Sequence, residues 1–298
     1  MSLALLVVLF AFALPNTVWA WGPMTHLTHG ATVLGEVTIL AAGLQRLLRR
    51  HRWEFLYGCV GADITQAKKY TRSEQAHCHS WRVGWNVLAH ARTDAQRAFA
   101  YGYLTHLAGD VFSHNHYVPV QLVLSYRSRT MGHVYWEARF DTLQAQEVRQ
   151  LVRELRQREF PECDELVRTV VSRTLFSFDT DKRIFNSFIA VHDLDQWHAI
   201  LKRLTARSRY VLPPELVPQY NRACWFAIVD MLEHGTSAAN QSTDPTGLLA
   251  LQLASDIRRM LRALDRKKGL PPRIERSLAE LQHRHDLAEL ASALAEGT

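Results

Sequence analysis

An all-α fold is what this chain predicts, and three observations carry the prediction. Apolar residues recur at helical spacing through most of its 298 residues, and long two-residue alternation is scarce. Breakers such as Lys267-Lys268-Gly269-Leu270-Pro271-Pro272 divide the periodic segments. The first twenty residues stand apart. Their apolar stretch from Leu3 to Leu14, about 12 residues, is shorter than the roughly 20 that span a bilayer. Pro15 and Asn16 break it, and Val18 and Ala20 occupy the −3 and −1 positions of a cleavage site. Residues 1–20 therefore read as a secretory signal cut after Ala20, which would make the mature chain secreted or periplasmic and start it at Trp21.

Residues 21–298 suffice for one large domain, with no convincing linker and no internal repeat. Val33 to Leu48 forms an amphipathic pattern ending in the basic cluster Arg49, Arg50 and Arg52, which favours a helix C-terminus. Asp94 is placed to cap a helix running through Phe99, Tyr103 and Leu107 towards Pro119. Further helices are expected at Leu143 to Gln157, Glu165 to Phe176, Tyr220 to Leu232, Leu248 to Leu264 and Ile274 to Leu294. The formal charge of +6 suits an anionic partner such as phospholipid headgroups or nucleic acid. The four cysteines form no CxxC pair; a disulfide such as Cys163 to Cys224 is one of several pairings open to them. Asn240-Gln241-Ser242 is a glycosylation sequon.

The chemistry is concentrated in one region. His106 and Asp110 lie four residues apart and share a helix face, and His114 continues the stripe by four more. The surrounding Tyr, Leu, Phe and Ala residues make the segment core-like, and burying three such donors without a cation would leave charge and lone pairs unsatisfied. His133 and Glu137 form a second i, i+4 pair on what reads as the next helix. Asp63 and the His77-Cys78-His79 segment supply further donors upstream. Imidazole and carboxylate donors describe a hydrolytic multi-metal site better than a structural zinc clip. The nearby aromatics Trp53, Tyr57, Trp81, Trp85 and Tyr117 suit a core more than a cation cage. Outside this set, His192 and His198 beside Asp193 and Asp195 read as a polar loop or helix start, and His283 and His285 as a solvated helix face.

These residues resemble the bacterial zinc-dependent phospholipases C and, more distantly, the single-strand nucleases with a related trinuclear zinc site. The matching elements are Trp21 to His26 (WGPMTH), Asp63, a histidine at 77 or 79, Thr105 to Pro119 (THLAGDVFSHNHYVP), and His133 with Glu137. The resemblance implies a helical bundle of that type, with the metal-site region in 21–145 and further helices in 146–298. It implies up to three zinc ions. Trp21, through its free amine and carbonyl, and His26 would serve one, with Asp110 bridging. Asp63, His79, His106 and Asp110 would serve the second, and His133, Glu137 and a histidine after Asp110 the third. Helical phase favours His114 for that last position, whereas the spacing in secreted members favours His116. Trp81 shortly after favours His79 over His77. Asp63 is the carboxylate to orient or deprotonate a water; His29 has no counterpart in the family pattern and would at most stand behind the ligands.

The implied activity is phosphodiester hydrolysis by a phospholipase C on a phospholipid substrate, with transient membrane-surface contact, no specific nucleic acid and no stable protein partner. A related single-strand nuclease and an inactive zinc-stabilised binding protein are the alternatives. Glu137 as last ligand and the NHYVP sequence favour the phospholipase.

Overall fold

The computed structural model describes residues 21–65, 76–128, 131–144, 147–171, 176–192, 199, 203, 205, 208–284 and 287–296. Residues 1–20, where a signal is expected, the stretch 193–198 and His285 therefore lie outside the described residues, and nothing is described of the side chains of His192 and His283. The fold is all-α, and no strand occurs among the described residues.

The organising element is the helix Asp94–Phe112, here α5. It follows α1 (Pro23–Gly35), α2 (Ala42–Arg50), α3 (Arg52–Gly58) and α4 (Trp81–His90). Residues 98–100 and 102–111 of α5 are buried, so the helix is enclosed on all sides rather than amphipathic. Its N-cap is Thr93, whose Oγ1 accepts from the Gln96 amide at 3.2 Å. Asp94, expected as the cap, instead occupies the first turn, where a carboxylate complements the helix dipole. At its far end α5 widens into a π-helical turn, Ser113–Tyr117, and continues as α6 (Val118–Leu124). Pro119 does not stop the helix because it falls in the first turn of α6.

The rest of the chain wraps this axis: α7 (His133–Asp141), α8 (Glu147–Arg156), α9 (Pro161–Val170), α10 (Phe178–His192), α11 (Leu216–His234), α12 (Leu248–Lys268), α13 (Pro272–Arg284) and α14 (Leu287–Glu296). Phe99, Tyr103 and Leu107 of α5 pack with α1, α3, α8, α9 and α10. Leu104 and Ala108, on another face, pack with Cys224, Ile228 and Met231 of α11. A third apolar cluster joins Trp21, α6, α7 and the start of α11 to α12, α13 and α14.

One of the expected helices is divided: Val33 to Leu48 is broken after Gly35 by a short 3-10 turn, Val37–Ile39. The expected helix Ile274 to Leu294 is described as α13 and α14, and residues 285–286 between them lie outside the described residues. Gly269, at φ +77°, ends α12 where the breaker run predicts. All four cysteines are buried, and no disulfide joins them. Asn240 of the sequon is largely buried, and its amide donates to the Ala227 carbonyl at 3.4 Å.

The crossing of α3 and α5 positions the site. A Cβ on Gly102 would lie 2.0 Å from the Phe55 carbonyl oxygen, and one on Gly58 would lie 2.0 Å from that of Phe99. Backbones meet there, and the Cys59 carbonyl and the short helix Gly61–Ile64 are delivered beside His106. Gly102→Ala should therefore separate the two helices and cost about 3 kcal/mol, at the upper end for overpacking. The melting temperature of the purified variant should fall.

Candidate metal centre

Asp110 lies in the last turn of α5 with no exposed surface, and its two oxygens face different partners. Oδ1 is 3.3 Å from Nε2 of His26 on α1. Oδ2 is 3.1 Å from Nε2 of His106 and 3.3 Å from Nε2 of His79. Asp63 Oδ1 lies 3.3 Å from the same His79 nitrogen. The His26 and His106 rings stack at 3.8 Å. A second group forms where α7 meets the π turn: Glu137 Oε1 is 3.3 Å from His114 Nε2 and 2.7 Å from His133 Nε2. The donors thus converge as His79, His106 and Asp110, as His26, Asp63 and His106, and as His114, His133 and Glu137.

His106, His114 and His79 are held from behind. His106 Nδ1 donates to the Cys59 carbonyl at 2.9 Å, and His114 Nδ1 donates to the Pro245 carbonyl at 2.6 Å. A carbonyl only accepts, so in the neutral ring the proton sits on Nδ1 and the Nε2 lone pair faces the centre. His79 Nδ1 rests 3.2 Å from the Cys78 sulfur. The turn carrying it is pinned by the Tyr103 hydroxyl on the Cys78 carbonyl, 2.5 Å, and by Ser80, which caps α4 through the Val83 amide.

This donor set fits zinc on two counts. Two tetrahedral ligands each about 2.0 Å from one zinc stand roughly 3.3 Å apart, and the separations of 3.1–3.3 Å around Asp110 match that edge. Both ring nitrogens of His26, both oxygens of Asp110 and Oε2 of Glu137 are buried without a hydrogen bond, short as some of these contacts are. Such burial is costly without a compensating cation. The electrostatics of the protein atoms alone point the same way. Burial would raise the Asp110 carboxyl, but His106 and His26 together hold it well below the usual range. Burial drives Glu137 well above its usual range despite His114.

The structure places the remaining sequence candidates one by one. His116 is exposed against Phe112, 5.4 Å between rings, and does not join the donors. Six residues of helix carry it to another face from Asp110, whereas His114 stays in phase. His77 is half-buried and accepts the His79 amide on its Nδ1 at 3.1 Å, whereas His79 faces Asp63, Asp110 and His106. His29 donates to Asn221 Oδ1 at 3.2 Å, and burial lowers its pKa to about 3, so it stays neutral behind His26. Trp21 buries its ring between Tyr117 and Phe140 and donates from Nε1 to the Gly109 carbonyl at 3.1 Å, fixing residue 21 beside Asp110. Trp81 and Trp85 bond to Thr243 and Gln241, and Tyr57 donates to Asp164, so these aromatics brace the scaffold.

A family model described as zinc-dependent phospholipase C matches residues 25–206, more than half of the chain. The chain belongs to the zinc-dependent phospholipase C family. Comparison with curated proteins and with solved structures found no match. Membership brings zinc dependence and a phospholipase C type of function in general terms, in keeping with histidine and carboxylate clusters able to hold metal.

Two supports escaped the sequence. Asp141, at the C-terminus of α7, is buried and accepts at Oδ1 from the Thr25 amide at 2.7 Å and the Thr25 hydroxyl at 3.0 Å. It thus caps α1, the helix of His26, from the helix of His133 and Glu137. Gly22 makes room: a Cβ there would lie 2.2 Å from the Asp141 carboxyl carbon. Gly247, at φ +59°, packs under His114, where a Cβ would meet the His114 carbonyl oxygen at 2.3 Å. The only sequence signals were an Asp at a helix end and a lone glycine, neither specific.

Asp141→Ala should cost about 1–2 kcal/mol, the usual loss of a helix cap. Zinc content should fall with it, read by unfolding and metal analysis. Zinc affinity should also depend on pH. His106 and His114 are lowered by burial but raised more by Asp110 and by Glu137 respectively, and both end above 6.5. Protons then compete from above that pH downward. Calorimetric zinc titration should show affinity dropping as pH falls from about 8 to 6, near the ordinary histidine range.

Proposed function

We propose that this protein is a zinc-dependent phosphodiesterase of phospholipase C type, cleaving the glycerol side of a phospholipid phosphate to give diacylglycerol and a phosphorylated headgroup. The single observation behind the reading is Asp110, whose two oxygens are divided between His26 and the pair His79 and His106. Asp63, His79, His106 and Asp110 would hold one zinc ion, and His114, His133 and Glu137 a second. His26 and Asp110 would serve a third, together with the amine and carbonyl of Trp21 once the chain is processed at Ala20 and secreted. Bound zinc would supply a Lewis acid for the phosphoryl oxygens and a water acidic enough to react at neutral pH.

The chain's own residues do the rest. The Cys59 and Pro245 carbonyls keep Nε2 of His106 and His114 directed inward. Asp63, buried at 3.3 Å from His79, is the carboxylate to orient the attacking water or take its proton. Leu248 and Leu249, 48% and 81% exposed, follow Gly247 directly and so sit next to the His114 support, a fitting place for transient contact with a bilayer.

Asp110→Ala should abolish activity and remove more zinc than any other single substitution, since two cations without a bridging carboxylate repel one another. The test is metal analysis followed by assays on phosphatidylcholine, p-nitrophenylphosphorylcholine and single-stranded DNA. Turnover of DNA alone would replace the phospholipase by a nuclease, and full zinc content in the variant would remove the bridging role. A few residues added before Trp21 should weaken one zinc site and slow turnover while leaving circular dichroism unchanged, because an amide nitrogen does not replace a free amine as ligand. A fully active extended protein would show that the amine is dispensable.

A further inference from the structure

A cavity of about 510 Å³ lies between α12 and the segment after α6, and none of the metal donors lines it. Five of its lining residues are arginines: Arg127, Arg258, Arg259, Arg262 and Arg266. The one lining carboxylate, Asp265, is engaged by Arg127 at 2.5 and 3.0 Å. Arg259 pairs outside the lining with Asp256 at 2.6 Å. Arg258, Arg262 and Arg266 meet no carboxylate among the described residues.

Two of these guanidinium groups are crowded together. Arg258 and Arg262 both donate from Nη2 to the Ser128 carbonyl, at 2.9 and 2.6 Å. Arg262 also donates to the Tyr126 carbonyl. Burial and the charge of Arg262 push Arg258 down to about 10, and its Nε is buried with no hydrogen-bond partner. Satisfying loop carbonyls explains part of the cluster, since arginine donors suit the end of α6. It does not explain Arg259 and Arg266, which reach no carbonyl of that loop yet add charge to the same cavity. Like charges held together in a partly buried cleft repel one another unless an anion joins them.

We propose that this cavity is a phosphate-binding site separate from the metal centre, taking the phosphate of an anionic lipid headgroup or of a soluble phosphate ester. Planar guanidinium forks match phosphate oxygens two at a time. Arg258 and Arg262 are already fixed by the backbone, so little side-chain freedom remains to be lost on binding. The site stands whether or not the metal centre turns over substrate.

The test compares the mature protein with Arg259→Gln/Arg266→Gln, which removes two exposed arginines without touching the loop carbonyls. Arg49→Gln/Arg50→Gln, exposed on α2, removes the same charge elsewhere. Binding is read by sedimentation in the cold with phosphatidylcholine vesicles, with and without phosphatidic acid, and by titration with inorganic phosphate. Vesicle partitioning should require phosphatidic acid and fall about 30-fold in the α12 variant, at roughly a factor of five per arginine, with little change in the α2 variant. A loss confined to vesicles assigns a lipid headgroup, and a parallel loss of inorganic phosphate binding assigns a soluble ester. Equal losses in both variants, or no loss in either, would overturn the site.

Discussion

The structure depends on one costly arrangement, a carboxylate and its histidine partners buried at the end of a helix enclosed on every side. Asp110 and His106 have no exposed surface, and Asp110 makes no hydrogen bond with either oxygen. Removing one member would leave the others buried and uncompensated. The surrounding elements are consequently placed to supply partners for α5: α1 brings His26, the Gly61–Ile64 turn brings Asp63, and the turn before α4 brings His79. The glycine crossing of α3 on α5 is part of the same constraint, because a wider crossing would withdraw the Cys59 carbonyl from His106.

Carbonyl oxygens complete that logic. A histidine ligand needs its unused nitrogen satisfied in one tautomer, and a backbone carbonyl fixes the tautomer without bringing another charge into the core. Cys59 and Pro245 do this from opposite parts of the chain. Asp141 is different, since it spends a buried carboxylate on tying α7 to α1, and burial pushes that carboxyl up to about 7 against the Thr25 donors. The helix N-terminus it faces offsets part of that cost.

The fold class and the donors on one helix were legible because helical spacing is a local property. His106, Asp110 and His114 share a face by simple phase, and the same arithmetic rejects His116. What was illegible depends on contacts distant in sequence. Nothing near His114 announces Pro245, which lies 131 positions away. Nothing in the alternation around Val33 to Leu48 announces the 3-10 turn that divides it, because the apolar positions continue in phase across the break. The π turn after α5 was equally hidden, since Pro119 reads locally as a stop and only the continuing helix shows it near an N-terminus.

The family match ends at residue 206, yet a support of His114 comes from beyond it. The segment 241–247 is held at one end by Trp81 and Trp85 and near the other by Asn115, whose amide donates to the Asp244 carbonyl at 2.8 Å. Gly247 then starts α12 in a left-handed conformation directly beneath His114, where any side chain would collide with the backbone. The last third of the chain is therefore coupled to the donor set through one carbonyl and one glycine. Because α12 also carries the arginine cluster, a rigid helix links that cavity to the seat of His114, and a shift of α12 along its axis would be felt at both ends.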